Sequence, residues 1–303
     1  MSGAGLIALG ILALVAPALP GIAGKTKSLL TGRRGPPVLQ PYADLRKLLR
    51  KRAVYSRTTT WVFRAGPVVM LVTLVVAALL VPLDGRAAPV RFSGDLVAFA
   101  GLLALGRFAL VLAGLDTGSS FEGLGASREV TIATFAEPTL FLCFIALVLA
   151  TGDLSLSGML GTPLAAAWPR AGASLSLVGI SLFVLLLAEN SRVPVDDPAT
   201  HLELTMIHEV MVLDHGGPDL ALILYGGALK LALFGVLVVS VFVPRAGFAG
   251  PAALALLFAG LGVVAVGVGV VESVMARLRL ARVPQLLVGA AALALFATIL
   301  QVG

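Results

Sequence analysis

Residues 219–243, DLALILYGGALKLALFGVLVVSVFV, decide the fold. Beyond Asp219 at its edge the run holds a single charge, Lys230, about eleven residues in. A helix of about 20 apolar residues crosses the hydrocarbon core of a bilayer. With no water there, backbone polar groups must be satisfied within the segment, so the run reads as a membrane-spanning helix and not as an open strand.

Seven further runs read the same way. The predicted spans are 3–19, 62–82, 95–115, 129–150, 173–188, 219–243, 251–271 and 284–301, an all-α polytopic bundle in one integral membrane domain over 1–303. Composition agrees: 58% of residues are hydrophobic and 13% charged, against roughly 25% charged in soluble domains. The 3–19 run has neither a basic n-region before it nor a clear small-residue cleavage site after it, so it reads as a span and not as a signal peptide. The one cysteine, Cys143, excludes an intramolecular disulfide and a multi-cysteine iron–sulfur or zinc site on this chain.

A formal net charge of +6 in a soluble chain suggests nucleic acid; in a membrane chain Lys and Arg near span ends set topology instead. Eleven lie in the interval 20–64, and alternate intervals add Arg128, Arg192, Arg277, Arg279 and Arg282, sixteen in all. The other side holds four: Arg86, Arg91, Arg170 and Arg245. This bias places loops 20–61, 116–128, 189–218 and 272–283 in the cytoplasm and both termini outside. No nucleic-acid partner is expected; the lipid bilayer is.

Gly21–Leu30 reads as a short interfacial helix and Tyr42–Arg52 as a second helix with Leu45, Leu48 and Leu49 on one side and a basic face opposite. Gly32, Gly35, Pro36, Pro37 and Pro41 break the chain between them. That basic region suits anionic lipid or an acidic soluble partner. The Gly- and Ser-rich stretch Leu115–Val130 lacks the order of a P-loop and reads as a loop, as does the external connection Thr151–Gly172.

Ionisable residues within spans are costly and usually face protein or water. Glu129 and Glu272 fall at span ends, where a solvated terminus is the simplest reading. Arg107 is expected to snorkel or to find a carboxylate. Glu137 and Lys230 need partners, and Glu137 lies eight residues past Glu129, within roughly 80° of the same helix face. Carboxylates with an occasional Lys inside a bundle are what membrane proton transfer requires; buried ion pairs that fix packing are the alternative.

The loop before the opening span, ENSRVPVDDPATHLELTMIHEVMVLDHGGPD (189–219), carries seven of the sixteen acidic residues and all three histidines. Asp197 followed by Pro198 reads as a helix start, and Ala199 to about Leu213 as an amphipathic helix. Without an HExxH pattern, a zinc hydrolase is not indicated, and no metal site is read.

PGIAGKTKSLLTGRRGPPVLQPYADLRKLL, LDTGSSFEGLGASRE and ENSRVPVDDPATHLELTMIHEVM, in this chain order, resemble the membrane subunit related to subunit 1 of respiratory complex I. More narrowly they resemble its relatives in formate hydrogenlyase, hydrogenase-4 and other energy-converting [NiFe] hydrogenases. The resemblance implies a membrane anchor and proton-conducting subunit of an oxidoreductase complex, with no complete active site of its own. Soluble hydrogenase and iron–sulfur subunits, which hold the [NiFe] centre and clusters, and antiporter-like membrane subunits are the implied partners. Carried over by position, Glu129, Glu137, Glu189, Asp196, Asp197, Glu203 and Glu209 are relay candidates and Arg192 is a charge-pairing residue; Lys230, by its place near mid-span, joins the relay set. Arg33, Arg34, Tyr42, Asp116, Arg128, His201 and His208 are subunit-docking candidates. A quinone-site subunit of a complex I-like dehydrogenase and a purely structural anchor are the competing readings.

Overall fold

The computed structural model describes residues 3–196, 206–245 and 247–302. Among them it has twelve α-helices and no strand, and eight of its helical segments are long and apolar enough to cross a membrane. The first span is built from α1 (Gly3–Val15) and α2 (Ala18–Leu30), which meet at a break. Pro17 has no N–H to give the Ala13 carbonyl. Two phenols supply donors there: Tyr225 to Ala13 O at 3.0 Å and Tyr42 to Leu14 O at 2.5 Å.

The predicted basic helix is α3 (Gln40–Leu49), lying against the bundle with Tyr42, Leu45 and Leu48 partly buried. Leu49 departs from the expected apolar stripe and is exposed. α4 (Trp61–Leu79) starts on a Thr60 cap, and the last residue of α5 (Asp95–Asp116) closes it. The Asp116 carboxylate accepts from Thr60 N at 2.6 Å, Thr60 Oγ1 at 2.8 Å and Phe63 N at 3.2 Å. This places an anion at the positive end of α4.

Two predicted loops are largely helix. α6 runs from Ser120 to Thr151, 32 residues, so at 1.5 Å per residue it spans about 48 Å and overruns a hydrocarbon core of about 30 Å. Its first turns occupy most of the expected 116–128 loop, and it ends at Gly152 in the left-handed region (φ 75°). The expected 151–172 connection holds a one-turn helix, α7 (Leu156–Met159), and the first third of α8 (Thr162–Glu189). Pro163 in the first turn of α8 is compatible with a helix start, so this Pro/Gly punctuation opened a helix. α8 bends at Ala171, two residues after Pro169, where Trp168 Nε1 donates to Val241 O at 2.9 Å.

After the central loop come a single turn, α9 (His208–Met211), then α10 (Gly217–Phe242), α11 (Pro251–Val274) and α12 (Val283–Val302). α10 is the most enclosed span. Alternation of the spans puts α3 and α9 on one face, with the short connections at 117–119 and 275–279.

Close helix approach holds the frame. α4 and α5 pack across Gly66 and Gly106, where a Cβ would lie 2.6 Å from Ala113 Cβ and 2.5 Å from Thr73 Oγ1. Below α10, the buried His215 ring meets Phe63 edge-on at 3.9 Å between centroids. Removal from water pushes its pKa down to about 4, against the opposing pull of Asp219 and Asp214.

Two predictions follow from this packing. Gly106→Leu forces α5 off α4 beside Arg107 and is expected to destabilise by about 1–3 kcal/mol, read as a lower melting temperature in detergent. His215 is neutral in the fold, so its contribution is complete above its unfolded pKa of about 6.5 and is lost as pH falls towards 4. Up to about 3 kcal/mol is at stake. His215→Phe should flatten that acid limb in melts taken between neutral and acidic pH, while an unchanged limb would assign it to other groups.

Candidate functional site

Four helices bring one charge cluster together. Arg107 sits past the middle of α5 with its side chain 8% exposed. Its Nη2 donates to both oxygens of Glu189 at 2.5 Å, its Nη1 to Glu137 at 2.6 Å, and its Nε lies 3.6 Å from Glu129. Lys230 Nζ reaches the other side of Glu189 at 2.7 Å. The eight-residue spacing on α6 thus brings both Glu129 and Glu137 to one guanidinium. Arg107 does not snorkel.

With every group ionised, three carboxylates face two cations. The surplus is one negative charge in a low-dielectric interior, so one added proton neutralises the cluster. Glu137 differs from its neighbours: its side chain is 46% exposed, on the outside of the bundle.

A cavity of about 620 Å³ opens beside the cluster and reaches the face that carries α3. Arg107, Glu129, Glu189 and Lys230 line its deep end, and Leu103, Leu110 and Ile223 line its apolar wall. Pro17, Pro20 and Pro41, around the α1–α2 break, form its side near the surface. His208, Glu209 and His215 also border it. Burial lowers the His208 pKa, with Glu129 and Asp196 opposing and Lys230 reinforcing that shift.

The central loop is held by ion pairs. Asp196 accepts from Ile207 N at 2.9 Å and His208 N at 3.3 Å, and Arg277 lies 3.1 Å from its other oxygen. Arg128 Nη1 donates to Met206 O at 2.8 Å. These bonds divert the backbone of 206–208 from a helical ladder. Among the described residues the amphipathic helix expected over 199–213 is therefore only the turn His208–Met211. Asp197, His201 and Glu203 lie outside the described residues.

Glu272 is a further correction. It was read as a solvated terminus, yet it is 8% exposed, with Arg192 at 3.3 Å and Lys27 at 4.0 Å. Glu272, Lys27, Arg277 and Arg107 were absent from the site residues drawn from sequence; charge inside or beside a span was the signal available for them. Of the docking candidates, Arg33 and Arg34 are exposed, while Tyr42, Asp116 and Arg128 bond within the chain.

The family described as NADH dehydrogenase matches residues 4–302. The chain is 33% identical over 287 residues to formate hydrogenlyase subunit 4 of Escherichia coli (strain K12), covering 91% of each. It is 33% identical over 237 residues to hydrogenase-4 component C of the same organism, covering 77% of this chain and 73% of that protein. Its fold is similar to a chain of the membrane-bound sulfane sulfur reductase, an archaeal respiratory membrane complex, with TM-score 0.83, 20% identity and 98% of each chain covered. The chain belongs to the NADH dehydrogenase family, that of complex I subunit 1.

Proposed function

We propose that this chain is the membrane subunit that seats the redox arm of a hydrogenase-type respiratory complex, and that its Arg107 cluster passes protons. The observation that carries the relay is the surplus carboxylate: Glu129, Glu137 and Glu189 share Arg107, with Lys230 as second cation. Such a cluster carries one uncompensated negative charge, which a single transferred proton would balance. The cavity gives it access from the α3 face, and half-exposed Glu137 gives it an outlet towards a neighbouring antiporter-like membrane subunit.

The 33% identity to subunits of formate hydrogenlyase and hydrogenase-4 supports the hydrogenase assignment. In this reading the [NiFe] centre and iron–sulfur clusters sit on soluble partner subunits, consistent with a chain whose one cysteine, Cys143, is buried. The basic face is cytoplasmic by the positive-inside bias, both termini are outside, and the membrane is the cytoplasmic membrane of a prokaryote. Asp197, Glu203 and Glu209 on the central loop continue the relay towards the soluble arm.

A second reading rests on the cavity itself. Its volume lies within the range of small-molecule sites, about 300–1,000 Å³, and an apolar wall ending in charged groups suits the head of a quinone.

In the assembled complex, Glu137→Gln is expected to reduce hydrogen-linked proton movement in inverted vesicles at least tenfold, with hydrogenase activity on a soluble acceptor retained. Glu189→Gln should do the same, with poorer assembly, because it strips a buried arginine and lysine of a shared partner. Unchanged proton movement in both, with intact assembly, removes the relay. For the quinone reading, the purified complex should reduce a soluble quinone analogue in an inhibitor-sensitive way; an inert complex retires it.

A further inference from the structure

Beyond the cluster and its cavity, a second concavity lies at the end of α2, and we infer that Lys25, Arg33 and Arg34 form a binding site for the phosphate headgroup of an anionic phospholipid. The first span fixes its depth. It runs 28 residues from Gly3 to Leu30 with its first charges at Lys25 and Lys27. About 20 residues fill the hydrocarbon core, which leaves Lys25 to Leu30 at the level of the headgroups.

The loop after α2 is folded back to make a shallow, open concavity. Arg33 N donates to Ser28 O at 2.8 Å and Lys25 Nζ to Arg34 O at 2.7 Å. Gly32 (φ 69°) and Gly35 (φ 58°) take the left-handed turns this requires. Gly35 also sits directly on the Ser28 side chain, where a Cβ would clash. Lys25, Arg33 and Arg34 therefore border one concavity together with Leu29 and Pro37.

Among the described residues none of these three cations has a carboxylate partner, whereas Lys27, on the same helix, is paired with Glu272. An anion is the ligand that three such cations suit. A lipid fits better than a free phosphate because Leu29 and Leu30, at the same end of α2, are 64% and 58% exposed. Leu6, Ile7 and Leu14 of α1 are exposed as well, which places this span on the perimeter of the bundle, where acyl chains run. Arg33 and Arg34, first read as subunit-docking residues, are thereby reassigned to lipid.

Electrostatic attraction of a basic residue to an anionic leaflet is worth roughly a fivefold change in affinity, so the three together should matter at least tenfold. The test is native mass spectrometry of the complex released from mixed phosphatidylglycerol and phosphatidylcholine nanodiscs. The Lys25→Gln/Arg33→Gln/Arg34→Gln variant should lose tightly retained phosphatidylglycerol at least tenfold, with phosphatidylcholine unchanged. Arg46→Gln/Lys47→Gln/Arg50→Gln on α3, an equal charge removal, should retain it. If the triple variant assembles poorly, Arg33→Gln alone, in the exposed loop, should still give a severalfold loss. Equal retention in both triple variants, or equal loss, overturns the site. Displacement by millimolar inorganic phosphate as effective as by short-chain phosphatidylglycerol would make it a free-anion site and overturn the lipid. Loss of soluble subunits with lipid retained would assign the patch to protein docking and overturn it as well.

Discussion

The structure turns on a permanently charged arginine in the middle of a membrane bundle. A guanidinium cannot shed its proton at any accessible pH, and leaving it unpaired in the interior would cost several kcal/mol. Arg107 therefore dictates where acids must be. Glu129 and Glu137 from α6 and Glu189 from the end of α8 all converge on it, and Lys230 from α10 completes the set. The helix order around the site is thus fixed by charge as well as by the close contacts of α4 with α5 at Gly66 and Gly106. A bundle held only by small residues could slide, whereas a guanidinium that holds Glu189 by Nη2 and Glu137 by Nη1 specifies register.

The ends of the spans show what hydropathy can and cannot reveal. All eight spans were legible, because apolar length is a direct consequence of bilayer thickness. Helix length was not. Hydropathy reports where lipid begins, while α6 continues for nine residues, 120–128, ahead of the predicted span, through a polar stretch that packs against α9. Gly125 allows that contact, since a Cβ there would meet Met211 N at 2.7 Å. The first third of α8 was hidden for the opposite reason: Pro163 and the residues around it carry loop-like composition, yet a proline in the first turn starts a helix.

The site divided along similar lines. The spacing of Glu129 and Glu137 was readable because both lie on one helix, where 100° per residue is enough. Their shared partner was not, because Arg107 meets Glu137 across 30 residues and Glu189 across 82. Glu272 misled for a physical reason: the last turn of a span is normally wet, but here Lys27 and Arg192 reach it from two other segments and it is largely buried. Among the described residues of the central loop the predicted helix is reduced to one turn, because Asp196 and Arg128 take up backbone groups of residues 206–208 that a helix would have used.

One asymmetry ties the cluster to its surroundings. Glu129 and Glu189 are enclosed, with side chains 11% and 6% exposed, whereas Glu137 is 46% exposed on the wall of the bundle. A carboxylate facing hydrocarbon at that depth would be unfavourable by a few kcal/mol, and its bond to Arg107 offsets this only on the inner side. The outer side of Glu137 therefore calls for a polar neighbour, and a membrane subunit packed against α6 would supply one. Docking such a neighbour would also change the charge balance that Arg107 holds. In the proposed relay, Glu137 is thus the residue at which a second membrane subunit would meet the cluster.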